Sequence, residues 1–204
     1  MLLGHVWGLF TNPEKEWKNI RKENCSVGKC YCSHILLLAA IPPVSLFIGS
    51  TTFGWQLGDS PTTGFPTSFA LKISILYYIT ILVGIFSVGA LIRWMSKTYD
   101  ADAGLPLSVG LAAYTATPLL LVGIMGLFQI LWLYLVIGLP ALAYSVYLLY
   151  TGVPIMMDIP KEKGFLFSSA VLGVGLIVLI AVMAATAILW GTDLLGLTPE
   201  YIDK

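Results

Sequence analysis

Long apolar segments without charged residues constrain this chain more than any other feature. Residues 103–157 contain no Asp, Glu, Lys or Arg, and shorter apolar segments lie on both sides. A helix needs roughly 20 apolar residues to cross the roughly 30 Å of hydrocarbon in a bilayer. The chain is 57% hydrophobic and 11% charged, whereas soluble domains average about 45–50% and about 25%. We therefore predict an all-α integral membrane protein.

The apolar segments predict a bundle of five transmembrane helices. The longest segment has room for two spans with a tight turn near 126–129, since three spans would need more residues. The predicted spans are 32–50, 69–95, 107–127, 130–151 and 165–190. Residues 1–31 form an amphipathic N-terminal segment, and residues 191–204 form a short tail. Because proline lacks a backbone donor, Pro42 and Pro43 should bend or locally break the first span.

Basic residues are divided unevenly between the two ends of the predicted bundle. Nine of the eleven lie at the end that holds the N-terminus: Lys15, Lys18, Arg21, Lys22, Lys29, Arg93, Lys97, Lys161 and Lys163. Only Lys72 and Lys204 lie at the other end. Cytoplasmic segments carry the basic excess, so we expect a cytoplasmic N-terminus and a C-terminus on the opposite side, the periplasm in a bacterium.

Residues 11–24 predict a short amphipathic helix ahead of the first span. Thr11 or Asn12 can cap it, and Pro13 suits its first turn. Trp17 and Ile20 fall on one face, with basic residues largely on the others. The helix can lie in the membrane interface, where anionic lipid attracts its basic residues. Alternatively, its apolar face packs over the ends of the spans.

A possible metal site lies immediately before the first span. All three cysteines of the chain occur at 25, 30 and 32, and a histidine follows at 34. Thiolates and imidazole are ligands that Zn²⁺ and Cu(I) prefer, so Cys30, Cys32 and His34 are the candidate ligands. The alternative is a set of free thiols packed beneath the headgroups, with no metal cofactor.

The sequence contains no recognisable catalytic motif. A P-loop, HExxH, GxSxG and a dinucleotide-binding fingerprint are all missing. The two histidines, His5 and His34, have no carboxylate-rich neighbourhood in the sequence, and no charged residue lies near the middle of a span. We therefore expect a protein that is not an enzyme. The formal net charge of zero indicates no nucleic-acid partner.

Short segments of the chain carry a family resemblance. The chain reads Ala-Tyr-Thr-Ala-Thr-Pro-Leu-Leu at 113–120 and Tyr-Thr-Gly-Val-Pro at 150–154, and it opens with His-Val-Trp-Gly-Leu-Phe at 5–10 before Asn12 and Pro13. In these segments it resembles the Yip family (Rab/Ypt-interacting-protein domain), and its opening is similar to the bacterial YohC-like inner-membrane branch. The resemblance implies a five-span helical domain in the bacterial inner membrane with a cytoplasmic N-terminus.

The resemblance also implies that its motif positions matter, and these are Tyr114, Pro118, Tyr150, Gly152 and Pro154. Eukaryotic members of the family are linked to Rab-type GTPases and vesicle traffic. We do not expect that activity here, because the chain lacks an extended cytoplasmic N-terminal domain.

Charged residues next to the third and fifth spans suggest a contact at the cytoplasmic face. Asp100 and Asp102 precede the third span, and Lys161 and Lys163 precede the fifth. We expect these carboxylates to meet the basic surface beside the two lysines.

Two functional hypotheses follow. The preferred one is a non-enzymatic membrane scaffold that acts through helix–helix and lipid contacts, with the bilayer, other membrane proteins or further copies of itself as partners. Small residues at helix-contact spacing favour it, for example Ala112 and Ala116. The alternative is a small oligomeric transporter or channel, with a metal ion as one candidate substrate.

Overall fold

A computed structural model describes residues 2–23, 35–54, 63–101, 103–128, 130–192 and 202–203. The helices are α1 (Leu2–Thr11), α2 (Pro13–Lys22), α3 (Leu36–Ile48), α4 (Thr67–Ser96), α5 (Leu105–Thr115), α6 (Thr117–Val122), α7 (Leu131–Met157) and α8 (Lys161–Thr192). A π-helical turn extends α3 over Gly49–Phe53, and 3₁₀ turns extend α4 over Lys97–Tyr99 and α6 over Gly123–Leu127. Two short strands, β1 (Thr63–Gly64) and β2 (Ile202–Asp203), pair antiparallel.

The described helices form an all-α membrane bundle, as the sequence predicts. Four of them are long and apolar enough to cross a membrane, and the number is five if a bent pair of shorter helices counts as one span. The four are Leu36–Phe53, Thr67–Tyr99, Trp132–Met157 and Lys161–Ile180. Helix α4 with its 3₁₀ turn reaches Tyr99, beyond the predicted bound at residue 95, and α7 reaches Met157, beyond the predicted bound at residue 151.

The third span is a bent pair rather than the single helix expected at 107–127. Helix α5 ends at Thr115, α6 begins at Thr117, and the pair is bent by 41°. Pro118 lies in the first turn of α6. Its nitrogen carries no hydrogen and cannot donate to the carbonyl of Tyr114, so the helical ladder is interrupted at this point.

The first span, by contrast, is not interrupted at its prolines. Pro42 and Pro43 both lie inside α3, so the expected local break is not found there. The 3₁₀ turn after α6 packs tightly on this helix. A Cβ atom on Gly123 would lie only 2.4 Å from the Pro42 ring, and one on Gly126 would lie 3.0 Å from the Leu46 nitrogen. The turn therefore packs closely on α3 at and just after the two prolines that lack a backbone donor.

Helices α1 and α2 form an N-terminal helical hairpin. The Asn12 side chain accepts a hydrogen bond of 3.3 Å from the Lys15 nitrogen, and Pro13 occupies the first turn of α2. Asn12 is therefore the cap that the sequence offered as one of two candidates. The apolar segment before it forms a separate helix, α1, whose Leu9 side chain is buried. A hydrophobic core joins this hairpin to α5, α7 and α8.

Candidate functional site

The N-terminal hairpin docks on the bundle through Trp17. This side chain is fully buried. A Cβ atom on Gly152 of α7 would lie 2.7 Å from its Cε2 and 2.9 Å from Cδ1 of Leu111 on α5. The indole also meets Tyr114 edge-on, with ring centroids 6.3 Å apart. We call the contact among Trp17, Leu111, Tyr114 and Gly152 the docking seam.

The docking seam decides between the two arrangements considered for α2. Trp17 and Ile20, its two apolar side chains, are both buried within the protein. The helix therefore packs its apolar face over the ends of the spans instead of turning that face to lipid. Only a glycine at 152 leaves room for the indole, which explains why this motif position carries no side chain.

A second cluster lies between the two helices of the hairpin. The Nδ1 atom of His5 lies 2.5 Å from Oε1 of Glu16, and Nε2 lies 3.2 Å from Oε1 of Glu23. The His5 and Glu16 side chains are 15% and 13% exposed, and that of Glu23 is 52% exposed. The imidazole also meets Tyr114 edge-on at 5.9 Å. His5 thus has a carboxylate-rich surrounding, contrary to what its sequence neighbours indicated, because both glutamates come from the next helix.

Gly8 allows this cluster to form. A Cβ atom at this position would lie within 3 Å of three atoms of the Glu16 side chain. The Glu16 carboxylate passes directly over α1 at Gly8 to reach His5. The opening motif at 5–10 therefore has a structural explanation, since it supplies both the imidazole and the space for its partner.

The end of α1 is attached to α7 by Tyr144. Its hydroxyl donates a hydrogen bond of 2.8 Å to the backbone carbonyl of Leu9. Its ring stacks on Phe10, with centroids 5.2 Å apart and planes 4° apart. Leu9 itself is fully buried. Both helices of the hairpin are therefore fixed to the bundle, α1 through Tyr144 and α2 through Trp17.

Arg21 ties the end of α2 to the end of α7. Its Nη1 donates to the Ile155 carbonyl at 2.9 Å, and Nη2 lies 2.9 Å from Oδ2 of Asp158. The hydrogen bond from the guanidinium lowers the pKa of the Asp158 carboxyl, and the same contact raises the pKa of Arg21. Asp158 ends α7 in the left-handed conformation, with φ of 58°, which aspartate tolerates better than most residues.

A similar ion pair connects α8 to the segment before α5. The Nζ atom of Lys163 lies 2.6 Å from Oδ2 of Asp100. This hydrogen bond lowers the pKa of the Asp100 carboxyl. The structure therefore brings together one carboxylate and one lysine of the expected contact. Lys161 is exposed at the start of α8, and Asp102 lies outside the described residues.

The other motif positions hold the bundle together near the same end. The Tyr150 hydroxyl lies 2.8 Å from Oγ of Ser169 and so joins α7 to α8. Pro154 packs against Gly164, where a Cβ atom would lie 3.0 Å from the proline ring. Pro118 is buried at the bend of the third span. These positions are helix-packing residues, and only Tyr114 and Gly152 belong to the docking seam.

The predicted metal ligands Cys30, Cys32 and His34 lie outside the described residues. Among the residues that the structure describes, no group of three or more His, Cys, Asp and Glu side chains is arranged to hold a metal ion. The cluster at His5 is not such a group, for a geometric reason. Its two carboxylates lie on opposite nitrogens of one ring, so they do not converge on a common point.

Reasoning from the sequence missed several residues of this site. His5, Glu16 and Glu23 were not singled out as partners, whereas Tyr144 was expected to hydrogen-bond between helices and does so. The sequence contains one relevant signal, because the opening motif at 5–10 lies directly before a helix with a cap. This arrangement predicts that two short helices meet. Their mutual rotation, and hence which side chains touch, depends on the bundle beneath them.

The comparisons with known proteins match a family of membrane proteins over most of the chain. The Yip1 domain model matches residues 7–183. Inner membrane protein YohC of Escherichia coli strain K12 is 40% identical over 189 residues, which cover 93% of this chain and 97% of that protein. The protein of the same name from Escherichia coli O6:H1 has the same identity and coverage. No solved structure matches. The chain belongs to the Yip1 domain family.

Proposed function

We propose that this protein is a non-enzymatic organiser of the bacterial inner membrane that acts through helix–helix and lipid contacts. The docked state of α2 is the observation that carries the proposal. Burial of Trp17 and Ile20 in the bundle fixes the rotation of α2. Lys15, Lys18 and Lys22 are consequently left on the exposed side of the helix.

These three lysines form a basic stripe suited to anionic lipid. They recur at intervals of three and four residues, which places them along one side of a helix. Within the described part of the chain, none of them has a carboxylate at ion-pair distance. Arg93, Lys97 and Lys161 are also exposed at helix ends. Each basic residue near an anionic leaflet contributes about 1 kcal/mol of attraction.

The same surface supports a cytoplasmic position for the hairpin. Helix α7 ends, and α8 begins, beside Arg21 and Asp100. From there α8 runs away from the hairpin, and β2 pairs with β1 in the connection after the first span. With the basic excess inside, the N-terminus is cytoplasmic and the C-terminus periplasmic. Reporter fusions at the two ends test this orientation, and equal signals from one compartment would contradict it.

The lipid proposal is tested on the full chain in nanodiscs that contain both phosphatidylglycerol and phosphatidylcholine. Spin-labelled lipids report the preference for the anionic lipid. Replacing Lys15, Lys18 and Lys22 together by Gln should reduce that preference by up to about a hundredfold, because about 1 kcal/mol per lysine is removed. Lys72→Gln is the control, since this lysine is exposed near the start of α4, at the end of the bundle opposite to the hairpin. An unchanged preference in the triple variant refutes the lipid proposal.

A transporter is the second candidate, and the bend in the third span supports it. Within the described residues, the buried hydroxyls of Thr115 and Ser145 have no hydrogen-bond partner. Interrupted helices with unpaired polar groups are typical of substrate sites in transporters. The test is ion flux into proteoliposomes, comparing the native chain with Thr115→Val and Ser145→Ala. Cys30→Ala and His34→Ala, with elemental analysis, test the metal. Absence of flux and of bound metal removes this candidate.

A further inference from the structure

We propose that His5, Glu16 and Glu23 form a proton-dependent clasp that keeps the N-terminal hairpin closed. The clasp would regulate the docked surface described above, and in that respect the inference rests on the proposed function. Both ring nitrogens of His5 face carboxylate oxygens, at 2.5 Å for Glu16 and 3.2 Å for Glu23. An ionised carboxylate only accepts hydrogen bonds, so each contact needs an N–H on the ring.

Only the imidazolium form supplies both of these N–H groups. A neutral imidazole carries one proton, and its other nitrogen then presents a lone pair to a carboxylate. The repulsion is strongest at Glu16, because its side chain and that of His5 are largely buried and water screens the charges poorly. Deprotonation therefore converts one of the two attractive contacts into a repulsive one.

The surroundings of His5 contain no competing cation among the described residues that contact it. Glu16 and Glu23 face it from α2, and Tyr114 faces it from α5. Arg21, although it is on α2, is directed to Asp158 instead. His5 is also the one titratable side chain of α1. The charge of the clasp consequently depends on whether the His5 ring carries its second proton.

The clasp lies where the hairpin meets the bundle. His5 on α1 and Trp17 on α2 both contact Tyr114, which lies on α5. When the imidazolium is present, α1 and α2 are held together over this tyrosine. As the pH rises and the proton is lost, the hold between the two helices weakens and the hairpin opens more often.

Hydrogen exchange on the full chain in nanodiscs tests the clasp. Protection of the amides in α1 and α2 is measured between about pH 5.5 and about pH 8.5, where carboxylates of ordinary pKa stay ionised. Rates are corrected for intrinsic exchange. We expect protection to fall about tenfold across this range, the order of magnitude for one charge-assisted contact. In His5→Gln the protection should stay at the low level at every pH.

Two controls and a milder variant make the test decisive. His34→Gln removes the other histidine, and Glu14→Gln removes an exposed carboxylate of α2. Both should leave the pH dependence intact. Glu23→Gln changes a half-exposed residue and should reduce the tenfold change to about threefold, since one contact with charge remains. This variant keeps the test informative if His5→Gln fails to fold.

Two results would overturn the clasp. One is protection that does not change with pH in the native chain. The other is a pH dependence that survives in His5→Gln, because it would then belong to another group, such as the α-amino terminus. The lipid preference of the lysine variants is a separate measurement. Its failure refutes the proposed function, whereas exchange that is independent of pH refutes the clasp alone.

Discussion

Gly152→Ala tests the docking seam with a single methyl group. The new Cβ would lie 2.7 Å and 2.8 Å from two ring atoms of Trp17 and 2.9 Å from a methyl of Leu111. Atoms in ordinary contact are about 3.5–4.0 Å apart, so the indole must move. Because Trp17 is fully buried, the indole is closely surrounded, and we expect it to move together with α2 away from the bundle.

The magnitude follows from two opposing effects. Overpacking a closely filled site costs about 1–3 kcal/mol, whereas Ala stabilises a helix by about 0.8–1.0 kcal/mol relative to Gly. Gly152→Ala should therefore lower the free energy of unfolding by about 0–2 kcal/mol. Gly138 lies on the same helix with nothing within 4 Å of its added Cβ. Gly138→Ala should raise the free energy of unfolding, which makes it the matched control.

The assay is unfolding by SDS titration in bicelles, combined with Trp17→Phe in a double-mutant cycle. Phenylalanine has no atom equivalent to Cζ2, one of the two indole atoms that the new methyl group would meet, so it should partly rescue Gly152→Ala. We expect a coupling of about 0.5–3 kcal/mol, as for residues in contact. If Gly152→Ala is as stable as Gly138→Ala and shows no coupling with Trp17→Phe, the docking seam does not exist as described.

Two further predictions concern other close contacts. Gly89→Ala places a Cβ atom 2.6 Å from the Val109 Cα, whereas Gly84→Ala on the same helix meets open space. The same titration should therefore find Gly89→Ala less stable than Gly84→Ala by about 1–3 kcal/mol. Arg21 lowers the pKa of Asp158 in the folded state. The stability that this pair contributes is therefore present above the ordinary carboxyl pKa, and it is lost as the pH falls through the folded-state pKa. Arg21→Gln should remove that acid-side loss in unfolding midpoints measured from about pH 5 to about pH 2, and an unchanged slope would contradict the pairing.

The membrane-spanning helices could be predicted from the sequence because their signal is local. The length of an apolar segment is compared with the thickness of the hydrocarbon, and no distant residue enters that comparison. The cap of α2 is local for the same reason, since Asn12 bonds to a nitrogen three residues later. The motif positions Tyr114 and Gly152 were named through a family resemblance, without any indication that both contact Trp17.

Behaviour at the prolines was not predictable in this way. Pro42 and Pro43 were expected to bend or locally break a helix, and no break is found at them, whereas the helix before Pro118 ends and the chain bends by 41°. All three lack the same backbone donor. A turn containing Gly123 packs against Pro42 inside α3, whereas Pro118 lies in the first turn of α6, a position that suits proline.

The sequence by itself determined that a lipid bilayer surrounds this protein. It also determined the number of apolar segments and the asymmetry of the basic residues. Only the tertiary structure decided which faces meet. In a bilayer, faces that contact lipid and faces that contact protein are both apolar, so the pattern of polarity no longer marks the inner side of a helix. That is why the contact between Gly152 and Trp17 could be identified only after the helices were packed. The two glutamates around His5 became apparent only then because they follow it by 11 and 18 residues in the chain.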